Sequence, residues 1–175
     1  FICIGDSTSL SGSGNVLTYS WNNGVTDGVN FQVNADQQYI LTGTDANNCV
    51  NSDTVYISVI QLPNIDAGND VSICLDDSIQ LNASGGATYS WSPITNISNA
   101  NVVDPFVFPG SDTKYYVTGT DTNGCTNIDS VQITIDALPT IITSSDTSLC
   151  IGDSINISAS GGVSYLWLTS DSLDQ

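Results

Sequence analysis

The sequence predicts an all-β protein made of tandem copies of one small unit. Three observations carry that expectation. Motifs recur in a fixed order: Cys-Ile-Gly-Asp-Ser at 3–7 returns as Cys-Leu-Asp-Asp-Ser at 74–78 and unchanged at 150–154. Tyr-Ser-Trp at 19–21 returns at 89–91 and as Tyr-Leu-Trp at 165–167, and Thr-Gly-Thr-Asp at 42–45 returns at 118–121, ahead of Cys49 and Cys125. The first cysteine recurs after 71 and then 76 residues and the second after 76, and a shared offset in unlinked motifs marks tandem duplication. Next, Glu, Arg and Met are absent and Lys114 is the single basic residue, so most strong helix formers are missing. Finally, Val, Ile, Thr and Tyr fall in short alternating runs punctuated by Gly, Asn and Asp, which is strand-and-turn patterning.

The period divides the chain into a unit over 1–61 that lacks its opening strand, a complete unit over 62–137, and the N-terminal part of a third over 138–175. Incomplete units at both ends and the lack of Met suggest a window onto a longer protein. Leu62-Pro63 and Leu138-Pro139 mark the junctions, since Pro cannot join a central ladder.

Within the complete unit, Val71 to Ile73 reads as a short first strand and Leu75 to Asp77 as a turn. Ser78 to Ala83 alternates, with Ile79 and Leu81 on one face, and is expected as a strand. Ser84 to Gly86 loops into a strand over Thr88 to Ser92 that carries Trp91, and Pro93 to Asn101 is irregular. Val102 to Phe108 is expected to supply one or two short strands, interrupted by Pro105. Lys114 to Thr120 is a strand with Tyr115 and Val117 on one face, and Asp121 to Gly124 is a hairpin turn because Asn-Gly tolerates positive φ. Thr126 to Asp136 is the last strand, and the break in alternation between Ile128 and Val131 suggests a bulge. Six or seven short strands with a Trp on the third point to a small immunoglobulin-like β-sandwich. Trp21, Trp91 and Trp167 are expected to fill the sandwich cores, with Tyr39 and Tyr115 as corner tyrosines.

Charge excludes several function classes. All 18 acidic residues are Asp and the net charge is −17, so the cationic footprint that nucleic acid requires is missing, and docking on anionic lipid is disfavoured for the same reason. Without His, Glu or Arg the chain lacks the usual general bases and oxyanion or phosphate holders, and no catalytic site is expected. Asp45, Asp121 and Asn123 have the oxygen-rich spacing of extracellular calcium loops, yet the same residues are what a tight hairpin needs for local backbone bonds. No twelve-residue calcium loop is complete, so the turn reading is preferred and no cofactor is assigned.

The second unit also carries a family resemblance. Pro63-x-Ile65-Asp66-Ala67-Gly68, Ile73-Cys74-x-x-Asp77-Ser78, Tyr89-Ser90-Trp91-Ser92-Pro93, Asp104-Pro105 and Tyr115-x-Val117-Thr118-x-Thr120-Asp121-x-Asn123-Gly124-Cys125 come in order. Together they resemble the Ig/PKD-like repeats of large Bacteroidota cell-surface adhesins, of the gliding-motility type exported by the type IX system. The first copy departs from the pattern at Asn48, where the glycine should stand. The resemblance implies an extracellular, cell-surface segment that extends and attaches. Its partners would be neighbouring repeats of the same chain and, through the whole protein, surface glycans, other cells or substrata. It also implies O-glycosylation at Asp-Ser/Thr-apolar triplets, with Thr54, Ser78, Ser130 and Ser154 as acceptors; a fifth triplet is Asp171-Ser172-Leu173. A second reading is the subunit of a self-assembling filament or sheath, a homopolymer. A third, weaker, is a carbohydrate-binding accessory module of a secreted enzyme.

Cysteines in an exported repeat are expected to be oxidised. Pairing inside a unit would join Cys3 to Cys49 and Cys74 to Cys125, but these positions sit at opposite ends of a sandwich, ~20–26 Å apart for a strand of six to eight residues. A disulfide needs Cα atoms within ~7 Å. The favoured pairing is therefore between units, Cys3 with Cys125, leaving Cys49, Cys74 and Cys150 with partners outside the window. Pairing within units and free thiols stay open as alternatives.

Overall fold

A computed structural model describes residues 1–168, and these contain strands, turns and bends but no helix. The triplet at 171–173 lies outside the described residues. The first repeat forms β1 (Ile2–Cys3), β2 (Ser7–Thr8), β3 (Thr18–Trp21), β4 (Phe31–Gln32), β5 (Gln37–Thr44), β6 (Val50–Ile57) and β7 (Val59–Ile60). The second forms β8 (Val71–Cys74), β9 (Ile79–Gln80), β10 (Thr88–Ser92), β11 (Phe106–Val107), β12 (Thr113–Thr120) and β13 (Thr126–Asp136). The third contributes β14 (Ile142–Thr143) and β15 (Ala159–Ser160).

The second repeat is an immunoglobulin-like sandwich. One layer is a four-stranded sheet in the order β10-β12-β13-β8, antiparallel except where β8 runs parallel to β13. The other layer is the β11–β9 pair, prolonged by bonds from Leu81 N to Pro105 O (2.8 Å) and Ala83 N to Val103 O (2.9 Å). Period-2 side-chain alternation sends Tyr115, Val117, Val131 and Ile133 inward, where with Trp91 and Val107 they are at most 1% exposed. Each fully buried Val or Ile contributes roughly 1.5–3 kcal/mol relative to an exposed one. The first repeat follows the same plan with a smaller sheet, β3-β5-β6, beside the β2–β4 and parallel β1–β7 pairs.

Four expectations change on this scaffold. The first repeat does have its opening strand, shortened to β1, which pairs in parallel with β7 as β8 does with β13. The last strand has no bulge against β12: eight consecutive pairs run unbroken from Thr113↔Ile133 to Thr120↔Thr126. The alternation breaks because Asp129 occupies an inward position and Ile128 points outward, 60% exposed. Asp129 is tolerated there because its Oδ2 accepts a bond from Ala67 N (2.8 Å). The run over 78–83 forms ladder strand only at Ile79–Gln80, because the next position on the facing segment is Pro105, which accepts from Leu81 but has no N–H to return. The expected strands over 102–108 likewise shrink to β11.

The aromatic residues divide. Trp91, Tyr115 and Tyr39 are buried. Trp91 Nε1 donates to Val102 O (3.0 Å), the Tyr115 hydroxyl donates to Asn96 O (3.3 Å), and Tyr39 packs tilted against Phe31 with ring centroids 5.2 Å apart. Trp21 is only half-buried and its Nε1 reaches the surface to donate to Asp27 Oδ1 (2.9 Å). Trp167 was expected in a core but is 48% exposed, because the described part of the third repeat supplies no sheet to cover it.

Candidate functional site: the stapled junction between repeats

A hairpin turn places one half of the site. Asp121 closes the β12–β13 turn: its N–H donates to Cys125 O (2.9 Å), and its Oδ1 accepts from Asn123 N (2.8 Å) and Cys125 N (2.9 Å). Gly124 takes a φ of 86°, which an L side chain rarely adopts. The same turn recurs in the first repeat, where Asp45 Oδ1 accepts from Asn47 N (2.8 Å) and Cys49 N (2.9 Å). There Asn48 stands in place of the glycine and takes a φ of 64°, the left-handed conformation that Asn tolerates better than most residues. One oxygen of each carboxylate is thus committed to the turn that presents the following cysteine.

These bonds also set the acidity of the two carboxyls. Backbone donation from Cys49, then from Asn47, holds Asp45 below the ordinary value of 3.8. For Asp121, loss of solvent pushes the value up, but the combined donation from Cys125, Asn123 and Gly124 outweighs it and leaves the group lowered. Both stay ionised wherever the turn is formed at neutral pH.

The other half of the site is the end of β1 in the preceding repeat. Ile2 and Cys3 pair in parallel with Val59 and Ile60, so Cys3 is fixed beside the exit of the first repeat. Cys3 and Cys125 are joined by a disulfide with Cα atoms 5.6 Å apart, and Cys125 is 1% exposed. Within the second repeat, β13 begins beside Cys125 and ends at Asp136, which pairs with Cys74. Its 11 residues span ~36 Å, far beyond the ~7 Å limit for a disulfide. Cys49, Cys74 and Cys150 are exposed and carry no bond to any described residue.

Two further side chains act at the junction. Asn127 Nδ2 donates to Pro63 O (3.0 Å), and Asp129 holds Ala67 as described above. Together they clamp the segment that leads out of the junction onto the second sandwich, where Ile65 is 7% and Ala67 1% exposed. The sequence marks a junction at Leu62-Pro63 and assigns no strand before Val71. The recurrence of Asn127 and Asp129 as Asn51 and Asp53 is the signal that marks them.

The acceptor triplets differ in setting. Thr54, Ser78 and Ser154 are exposed, while Ser130 is half-buried. Thr54 and Ser130 lie within β6 and β13 rather than at the end of a turn, because the preceding Asp53 and Asp129 are strand positions.

No family model and no curated protein sequence matches the chain. Several solved structures resemble it. The N-terminal eight Ig domains of Down Syndrome Cell Adhesion Molecule match 81% of this chain at 15% identity and a TM-score of 0.39, and the chain spans 24% of that structure. The titin domains z1z2, solved in complex with telethonin, match 79% at 11% identity and a TM-score of 0.32, with 92% of that chain spanned. The insect immune protein hemolin matches 77% at 11% identity and a TM-score of 0.35, with 44% spanned.

Proposed function

We infer that this chain is a structural and adhesive segment of an extracellular bacterial surface protein, in which successive sandwiches are stapled end to end to make a stiff rod. The observation that carries this reading is the disulfide between Cys3 and Cys125, which joins one repeat to the hairpin of the next. A junction held by both the peptide and a second covalent link resists bending and shear far better than a single linker, which is the property of a load-bearing stalk. Exposed Cys74 and Cys150 occupy the position of Cys3 in their own repeats, and Cys49 occupies that of Cys125. Each would continue the staple to the adjoining repeat. Export by the type IX route, a role in gliding and sugar on Thr54, Ser78, Ser130 and Ser154 belong to this reading through the family resemblance. Partners of the whole protein would be glycans or surfaces reached through the rod. The chain acts by extension rather than catalysis, since it has no His, Glu or Arg.

The test is non-reducing peptide mapping and intact-mass analysis of the protein from its native host. The reading expects Cys74 linked to a cysteine that follows a hairpin one repeat further along, and added hexose-type mass on the triplet peptides. Free Cys74 and Cys150 thiols in the native protein would overturn the rod. A bare polypeptide mass would overturn the glycan assignment alone.

A further inference from the structure

The complete second repeat carries an outward face that its fold does not require. Between Pro105 and Pro109 the chain alternates: Val107 is fully buried, while Phe106 and Phe108 point outward and are each 49% exposed. Single exposed apolar residues are ordinary, but two large rings on one face need a reason. Packing within the sandwich does not supply it. In the first repeat Phe31 pairs with Thr8 as Val107 pairs with Ile79, and the residues that flank Phe31 are Asn30 and Gln32. The same layer is thus built there with amides. Both amides are exposed although a following repeat is stapled to the first, so a neighbouring repeat does not cover these positions.

The surroundings of the two rings are polar and held in place. Pro105 and Pro109 are buried and fix the backbone on either side of the pair. On one flank Gln80 is the cross-strand partner of Phe106, and its Nε2 donates to Asp104 O and to Asp104 Oδ2, both at 3.1 Å. With Nε2 engaged, Gln80 offers Oε1 and Asp104 offers Oδ1 as acceptors. A cleft of about 320 Å³ opens there, lined by Gln80, Leu81, Asn82, Val103 and Asp104. On the other flank Ser98 N donates to Phe106 O (2.8 Å) and Phe108 N to Asn96 O (3.0 Å), which sets the exposed Asn96 beside the rings.

We propose that this face binds an uncharged polysaccharide. Phe106 and Phe108 stack on the apolar C–H faces of its sugar rings, and Gln80, Asn82 and Asp104 bond to its hydroxyls in the adjoining cleft. Aromatic surface beside a few fixed polar groups is the makeup of a small-ligand site, and the cleft has the volume of a small one. Charge selects the partner: at −17, with a carboxylate in the site, the chain repels an anionic glycan and also a second copy of itself. The two prolines hold the rings ready, which lowers the ordering cost of binding. The proposal deepens the adhesive reading and rests on it, but it uses no residue of the staple, so its failure leaves the disulfide rod standing.

The experiment is affinity electrophoresis of the full 175-residue chain, made in a host that adds no sugar. Native gels hold mixed-linkage β-glucan, xyloglucan, galactomannan or dextran, with polygalacturonate as the anionic control. At least one neutral polymer should retard the chain, and polygalacturonate should not. Phe106→Asn with Phe108→Gln copies the first repeat, so it should keep the wild-type urea midpoint and weaken binding about tenfold or more. Gln80→Ser, which copies Ser9 by the 71-residue offset, should also weaken binding and gives a second variant that the fold tolerates. Ile128→Asn alters a residue that is 60% exposed on the other sheet and should change nothing. No retardation by any of the four neutral polymers, retardation that survives the double variant, or equal loss with Ile128→Asn would each overturn the proposal. Light scattering that shows association of copies, abolished by the double variant and indifferent to every polymer, would overturn it in favour of a self-contact.

Discussion

Replacing Cys3 with Ser removes the staple and leaves every strand in place. The bond closes a loop whose ends are 122 residues apart, and restraining the unfolded chain over that length is worth about 5 kcal/mol in the chain-entropy treatment. The figure depends little on how the repeats unfold. If the first stays folded while the second unfolds, the flexible loop is about halved, and each halving removes only about 0.6 kcal/mol. For an m-value of ~1–3 kcal/mol/M in urea, the midpoint of the second repeat should fall by roughly 2–5 M. Urea titration followed by Trp fluorescence measures this, because Trp91 is at most 1% exposed in the second core. Small-angle scattering of the variant should also show a broader spread of inter-repeat angles. Equal midpoints for oxidised wild type and Cys3→Ser would refute the reasoning, as would peptide mapping that joins Cys74 to Cys125.

Trp91→Ala should cost about 3–5 kcal/mol, whereas Trp167→Ala should change the stability of the second repeat by less than about 0.5 kcal/mol, both read by denaturant unfolding. Gly85→Ala should destabilise the second repeat by more than about 1 kcal/mol, because its φ is 88° and a Cβ would drive into the Asn64 carbonyl; a neutral effect would show that the 64–68 segment does not lie there. Acid should act through four carboxyls held low in the folded chain: Asp27 by Trp21 and Gly12, Asp36 by Val59 and Tyr56, Asp45 by Cys49 and Asn47, and Asp121 by the net effect of its turn. Groups with a lowered folded value stabilise above their ordinary value of 3.8 and lose that contribution as pH falls through the folded values, so Tm should drop below about pH 3.8. An Asp36→Asn, Asp45→Asn and Asp121→Asn triple variant should show a shallower drop in that window, measured by thermal melts from pH 2 to 6.

The amino-acid sequence by itself determined the repeat, the all-β class and the turns, because those follow from local chemistry. Asp-x-Asn-Gly sets a hairpin through bonds between residues at most four apart, and the strands at Thr88–Ser92 and Thr126–Asp136 are set by composition and period. The separation of Cys74 from Cys125 was also legible, since it needs only the length of a strand. Tertiary structure decided what depends on distant partners. Asp129 reads as an error of alternation until Ala67, 62 residues away, supplies the N–H that makes an inward carboxylate tolerable. Ile65 shows no sign of being a core residue until Gly119 provides the space it fills. Trp91 and Trp21 stand in one motif, yet Trp91 is buried and Trp21 only half-buried, because burial belongs to the surfaces that close over a side chain and not to its neighbours in sequence.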